Sequence, residues 1–271
     1  MKVGFIGAGN MAGALVRGIV AAGRFPAEDV AVTSLHGHSA QALAREAGVD
    51  VLGTNEELVE QTGPGGLVVL AVKPHAVAGV LAPLADLLAE QGSVVISLAA
   101  GTPLARLAGL LVPGQAVVRA MPNVNAVVGA GMTAVCGNAE TDEDQLDAVV
   151  GLFETVGSAV VLPERDFPAY TAIAGSAPAF AALFVEALAR GALRAGLPKA
   201  LATRIAAQVV QGSARMILDG GTSPTQLADM VSSPGGTTIA GLCALEDAGF
   251  SAAVVRGVQA TIDRDQEMAR G

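Results

Sequence analysis

The segment Asp229-Met-Val-Ser-Ser-Pro-Gly-Gly-Thr-Thr-Ile239 carries the residue types needed to hold a small anion. Pro234 disfavours helix at Ser233, and Gly235 and Gly236 let a ligand come close to the backbone. Thr237 and Thr238 then fall where free N–H groups and the helix dipole favour a small carboxylate. The apolar positions Ile239, Leu242, Cys243 and Leu245 supply the helix that follows. An ordinary Ser-Pro turn that caps a helix without a ligand fits the same residues, so other features must decide.

A second anion-binding pattern stands at the start of the chain. Gly7-x-Gly9-x-x-Ala12 follows a β-rich run and opens a helical one. Gly7 suits a tight turn, Gly9 lets a pyrophosphate reach the backbone, and Ala12 packs helix on strand. In that strand–turn–helix setting the pattern predicts a dinucleotide site, and with the Asp229–Ile239 segment it predicts two ligands. At the end of the second strand, where an acidic residue would hold the ribose of NAD, stands Thr33-Ser34-Leu35-His36-Gly37-His38-Ser39. With no carboxylate to repel a 2′-phosphate, and with hydroxyls and imidazoles to hold one, NADP is favoured and NAD is the alternative. Lys73 closes the apolar run Leu67–Val72 ahead of Pro74. At the carboxyl end of a strand it either touches the cofactor or only meets solvent.

These residues need a scaffold, and the rest of the sequence describes one. The apolar runs Val3–Ile6, Val30–Thr33, Leu67–Val72, Val94–Leu98, Ala116–Arg119, Met132–Cys136 and Ala159–Leu162 alternate with helical patterns. Near-continuous apolar strands between helices predict an α/β fold with a parallel, doubly wound sheet covered on both faces. After Pro163-Glu-Arg-Asp-Phe-Pro168 the periodicity becomes helical almost to the end, interrupted at Gly196-Leu-Pro198, Gly220-Gly221 and Ser233–Gly236. The expected domains are therefore 1–165, which binds the dinucleotide, and 166–271, which is helical. The alanine-rich stretch Ala172–Ala189 is long enough to span a bilayer but carries Pro178 and Glu186. A helix buried against protein on more than one side, hence a subunit interface, is the expectation.

Composition narrows the function classes. A net charge of −9 and a pI near 4.8 argue against a nucleic-acid partner. The hydrophobic share of 52% suits a folded globular chain. Cys136 and Cys243 each lie in an apolar run, so two buried free thiols and a reducing cytoplasm are expected. His36, His38 and His75 have no partner cysteines nearby, and no metal site is expected. Met1-Lys2 leads directly into the first strand with no cleavage-like segment, so no signal peptide is expected.

Five blocks together resemble the pyrroline-5-carboxylate reductases. They are Phe5-Ile-Gly-Ala-Gly-Asn-Met-Ala12, Ala71-Val-Lys-Pro74, Arg119-Ala-Met-Pro-Asn123, Gly175-Ser176 with Pro178-Ala179, and Asp229–Ile239. The resemblance covers essentially the whole chain, and its last block is the most specific. It implies an N-terminal Rossmann-type domain and a C-terminal all-helical dimerisation domain, in a homodimer or larger homo-oligomer. It also implies reduction of Δ1-pyrroline-5-carboxylate to proline by NADPH or NADH. On this resemblance Gly7, Gly9, Asn10, Met11 and Ala12 cradle the pyrophosphate, and Ser34 and Asn55 lie by the adenosine ribose and its phosphate. Ala71, Lys73 and Pro74 lie nearer the nicotinamide. Ser176, Ser233, Gly236, Thr237 and Thr238 bind the substrate. Thr238 is the side chain we expect to position the imine and relay a proton, with water as the alternative donor.

The chain departs from the family pattern at Asn125, Ala130, Ala174 and Phe180, which leaves another cyclic imine carboxylate as the alternative substrate. A β-hydroxyacid dehydrogenase would need a catalytic lysine early in the interdomain helix, yet there is none between Lys73 and Lys199. A dinucleotide-binding scaffold without turnover is the remaining alternative, of another class.

Overall fold

Strand β1 (Val3–Ile6) enters the sheet with all four residues buried, and α1 (Asn10–Ala21) leaves it again after a glycine turn. We describe a computed structural model covering residues 1–35 and 37–270. The elements that follow are β2 (Val30–Thr33), α2 (Gly37–Ala47), β3 (Asp50–Val51), α3 (Asn55–Thr62), β4 (Leu67–Leu70) and α4 (Val77–Glu90). Next come β5 (Val94–Ser97), α5 (Leu104–Ala108), β6 (Val117–Pro122), β7 (Gly131–Gly137), α6 (Glu143–Glu154) and β8 (Gly157–Val161). They form one sheet in the order β3-β2-β1-β4-β5-β6-β7-β8. The first six strands of that order are those of a doubly wound dinucleotide-binding sheet.

Alternation along each strand builds two cores. Val3, Phe5, Leu67, Val69, Val94 and Ile96 face one layer, with Leu15, Ile19, Leu152 and Phe153 from α1 and α6. Ile6, Val68, Leu70 and Val95 face the other, with Leu58, Leu81, Leu84 and Leu88 from α3 and α4. Successive strand side chains point to opposite faces, so a continuous apolar strand is one covered on both.

The sheet is mixed, not parallel throughout. β7 runs antiparallel to β6, and β8 is parallel to β7. The link 123–130 is too short for a crossover, so the chain can only turn back on itself. β3 gives no apolar signal because both its residues are exposed. β6 runs beyond Arg119 to Pro122, and β4 stops at Leu70.

By its internal contacts the chain separates into two compact units. One is Met1–Gly175 with the end of the chain from Ile262, and the other is Ser176–Thr261. From the first unit α7 (Phe167–Tyr170) continues into a π-helical turn, Thr171–Ser176, whose last residue begins the second unit. Phe167, Tyr170 and Ala174 pack there with Ala134, Met121 and Met132 in a third, smaller core.

The second unit contains α8 (Ala177–Arg194), α9 (Lys199–Leu218), α10 (Pro224–Met230) and α11 (Thr237–Asp247), and α12 (Phe250–Arg270) begins in it. α8 packs on α9. Glu186 accepts from Lys199 Nζ and from Arg190 Nε, the latter at 2.7 Å, and these bonds, Lys199 first, hold its carboxyl below the usual range. Only Ala189 of α8 is buried, while Leu183 is 69% exposed. Small residues let α8 approach α9 on one side, and most of its remaining surface stays open in the single chain. Cys243 is exposed and Cys136 half-buried, so the two free thiols are not the buried pair expected. Cys243 lies on α11, of which no residue is buried in this chain. By length and composition alone the run Glu164–Arg194 could cross a membrane, a length and composition that core helices of soluble proteins share.

Candidate active site

The first candidate site lies outside the carboxyl ends of β1 and β4, where the strand order reverses and open α/β sheets bind ligands. Gly7 has φ +106°, and its N–H donates to the Thr33 carbonyl at 2.9 Å. The turn delivers Gly9 to the N-cap of α1, where no side chain caps the helix. The first N–H groups of α1 are thus open to an anion. A Cβ placed on Gly9 would meet no protein atom within 4 Å, so that space is free for a ligand to enter. A diphosphate fits this cradle.

A cleft of about 630 Å³ extends from it, lined by Gly9–Ala12, Ala71–Pro74, Leu98, Ala100, Met121 and Pro122. The structure brings together Gly9, Asn10, Met11, Ala12, Ala71, Lys73 and Pro74, all expected at a dinucleotide. Lys73 is exposed and precedes the helical turn that Pro74 opens. Leu98 and Ala100 were not anticipated, and Met121 and Pro122 belong to a family-like block for which no role was expected. Their signal is positional, since each follows or ends a strand at the same edge of the sheet as Gly7.

Ser34 and Asn55 stand at the end of β2. Ser34 Oγ lies 3.1 Å from Ser39 Oγ, and Asn55 Oδ1 accepts from Thr33 Oγ1 at 2.8 Å. Thr54 caps α3 through a reciprocal pair with Glu57, which fixes where Asn55 begins the helix. His38 is exposed, and His36 lies outside the described residues.

Polar anchors that sequence reasoning missed hold the β6 side of the cleft. The Tyr170 hydroxyl reaches the carbonyls of Met121 at 3.0 Å and Met132 at 2.6 Å. Burial pushes this phenol up to about 12. Asn123, itself buried, donates from Nδ2 to the Ala174 carbonyl at 3.0 Å and accepts from Met132 N at 3.1 Å. Arg119 pairs with Glu164 at 3.0 Å and lies 4.4 Å over the Phe167 ring. The same Glu164 oxygen accepts from Leu104 N at 2.7 Å. Burial, and next the Glu164 charge, push the Cys136 thiol up, away from a nucleophilic thiolate.

The second candidate site belongs to the helical unit. Gly235 has φ +67°, and Gly236 N donates to the Ser233 carbonyl at 3.0 Å, closing the turn. Gly236 is the N-cap of α11, and again no side chain caps the helix. Ser233 and Thr237 are exposed and Thr238 is half-buried, and their hydroxyls have no partner among the described residues. Ser176 is half-buried at the start of α8, and among the described residues no hydrogen bond joins it to this turn. Such a helix start accepts a small carboxylate on its N–H groups, with hydroxyls beside it.

Comparison with known proteins decides the family. A pyrroline-5-carboxylate reductase from Synechocystis sp. is 40% identical over 270 residues, covering 100% of this chain and 99% of the relative. The chain belongs to the pyrroline-5-carboxylate reductase family. Residues 164–268 match the family model described as pyrroline-5-carboxylate reductase dimerisation, and residues 2–101 match NADP oxidoreductase, coenzyme F420-dependent. The solved pyrroline-5-carboxylate reductase from Coxiella burnetii aligns with TM-score 0.93 and 33% identity over 98% of both chains. The Plasmodium falciparum pyrroline carboxylate reductase, solved with NADP bound, aligns with TM-score 0.85 and 28% identity over 99% of this chain and 98% of that one.

Within the family, this chain's departures fall in different surroundings. Asn125 and Ala130 are exposed in the β6–β7 link. Ala174 is buried and offers its carbonyl to Asn123. Phe180 borders an apolar groove of about 410 Å³ on the helical unit, with Leu183, Phe184, Phe250 and Val254.

Proposed function

We propose that this chain reduces Δ1-pyrroline-5-carboxylate to L-proline, the last step of proline biosynthesis, with NADPH as the preferred donor and NADH as the alternative. The observation that carries this reading is the pair of glycine-led, uncapped helix starts, α1 for a diphosphate and α11 for a small carboxylate. Gly7, Gly9, Asn10, Met11 and Ala12 would hold the pyrophosphate, and Ser34 and Asn55 the adenosine ribose and its phosphate. Ala71, Lys73 and Pro74 would flank the nicotinamide half. When bound, the reduced cofactor supplies a hydride to the imine carbon.

The protein's own work is orientation and exclusion of water, because a protonated imine is already electrophilic. Ser233, Gly236 and Thr237 would hold the substrate carboxylate, with Ser176 as a further substrate contact. Thr238 would position the ring nitrogen and relay its proton. No metal is needed for this chemistry.

The exposed apolar side chains of α8 support a homodimer or larger homo-oligomer, in keeping with the dimerisation match. An acidic surface supports a small-molecule partner over nucleic acid, and interface packing is the role we assign to the apolar run 164–194 rather than membrane insertion. Two free thiols suit the cytoplasm.

The test is oxidation of NADPH and of NADH with Δ1-pyrroline-5-carboxylate beside a six-membered imine carboxylate at equal concentration. Faster turnover of the five-membered ring supports the proposal. Turnover of the larger ring alone transfers the assignment to another cyclic imine, and turnover of neither leaves a dinucleotide-binding scaffold.

A further inference from the structure

We propose that the Thr33 hydroxyl sets the choice between NADPH and NADH by locking the amide of Asn55. This rests on the dinucleotide reading of the first site and gives a role to a residue outside the five blocks that carry the family resemblance. Thr33 is 3% exposed at the last position of β2, and a buried hydroxyl proton needs an acceptor. It takes Asn55 Oδ1 at 2.8 Å. That bond fixes the amide the right way round, because its oxygen is engaged inward and its Nδ2 is left with no partner among the described residues. Asn55 therefore offers two N–H donors, and no carboxylate, at the strand end where a dinucleotide's 2′ position is read. A phosphate there receives charge-assisted hydrogen bonds, whereas a bare ribose hydroxyl gains less. Thr33 is itself held in register, since its carbonyl accepts from Gly7 N at 2.9 Å, so the phosphate turn and the specificity amide share one strand end. Thr33 acts through Asn55 and is a positioning residue.

The test measures dissociation constants of NADPH and NADH by nicotinamide fluorescence, without any imine, for the unaltered chain and three variants. Thr33→Val keeps the buried shape but removes the proton that orients the amide. It is expected to weaken NADPH about tenfold and NADH by less than about twofold. Thr33→Ser keeps the hydroxyl and is expected to retain the original ratio. Asn55→Asp, at a half-buried site, replaces the N–H₂ by a carboxylate oxygen and is expected to favour NADH. Equal weakening of both cofactors by Thr33→Val, an unchanged ratio in Asn55→Asp, or tighter NADH binding by the unaltered chain would each overturn the proposal. Because no imine is present, failure of the imine-reductase reading leaves these ratios unmoved, so the two can fail separately.

Discussion

A Cβ built on Gly7 would stand 2.6 Å from the carbonyl oxygen of Ala71. The β1 turn thus passes against the end of β4 with no room for a side chain, and it does so at φ +106°. Gly7→Ala is expected to destabilise the protein by about 3 kcal/mol, combining left-handed strain with the clash. Dinucleotide binding should be lost with it. Thermal unfolding and an NADPH titration on the same preparation check this, and an unchanged melting temperature would contradict the geometry.

Gly9 makes the opposite prediction. A methyl there meets nothing in the protein, and its backbone at φ −77°, ψ −175° suits any residue. Gly9→Ala should cost about 1 kcal/mol of stability or less, as for an N-cap change. NADPH affinity should fall about tenfold or more, equivalent to about 1.4 kcal/mol, because the methyl occupies the pyrophosphate's approach. Equal affinity in the variant would mean that the diphosphate lies elsewhere.

Thr238 follows Thr237 into the first turn of α11, half-buried and with its hydroxyl unpartnered among the described residues. Thr238→Ala is expected to lower kcat by about 10²-fold while leaving NADPH affinity nearly intact. Thr238→Ser should restore much of the loss. Unchanged turnover in the alanine variant would remove Thr238 from the mechanism.

Tyr170 links stability to alkaline pH. Its phenol is neutral up to about 12 in the folded chain, against an ordinary value near 10 when unfolded. Between those values the unfolded chain has lost a proton that the folded chain keeps. Stability from this group is complete below about 10 and is lost as pH rises towards about 12. Tyr170→Phe should lower stability at neutral pH by about 1–3 kcal/mol, since the Met121 and Met132 carbonyls lose a buried partner. It should also flatten the decline between about 10 and 12. Denaturant titrations across that range test both effects.

Leu183 is 69% exposed on α8, beside Phe184, whose ring centroid is 5.7 Å from that of Phe250. An apolar face of this kind is covered by a second copy in the dimer we propose. Leu183→Asp is expected to shift light scattering at micromolar concentration from oligomer to monomer with α-helix content preserved. A monomeric unaltered chain would sink the proposal.

Local chemistry was enough to read much of this protein from its residues alone. The glycine spacing of Gly7 and Gly9, the continuous apolar strands and the Pro234-Gly-Gly-Thr-Thr helix start are short-range patterns, each dictated by backbone sterics and helix-end hydrogen bonding. Strand direction was not legible, because β7 is as apolar as a parallel strand and only the short 123–130 link makes it reverse. What covers α8 was not legible for a related reason: hydropathy reports a wish to leave water, and does not say whether the cover comes from the same chain. The polar anchors were hidden too. Tyr170 meets Met121 and Met132, Asn123 meets Ala174, and Arg119 meets Glu164, each pair far apart in sequence. Which buried donor finds which acceptor depends on how strands and helices stack, and only the tertiary structure decided that Thr33 would hold Asn55.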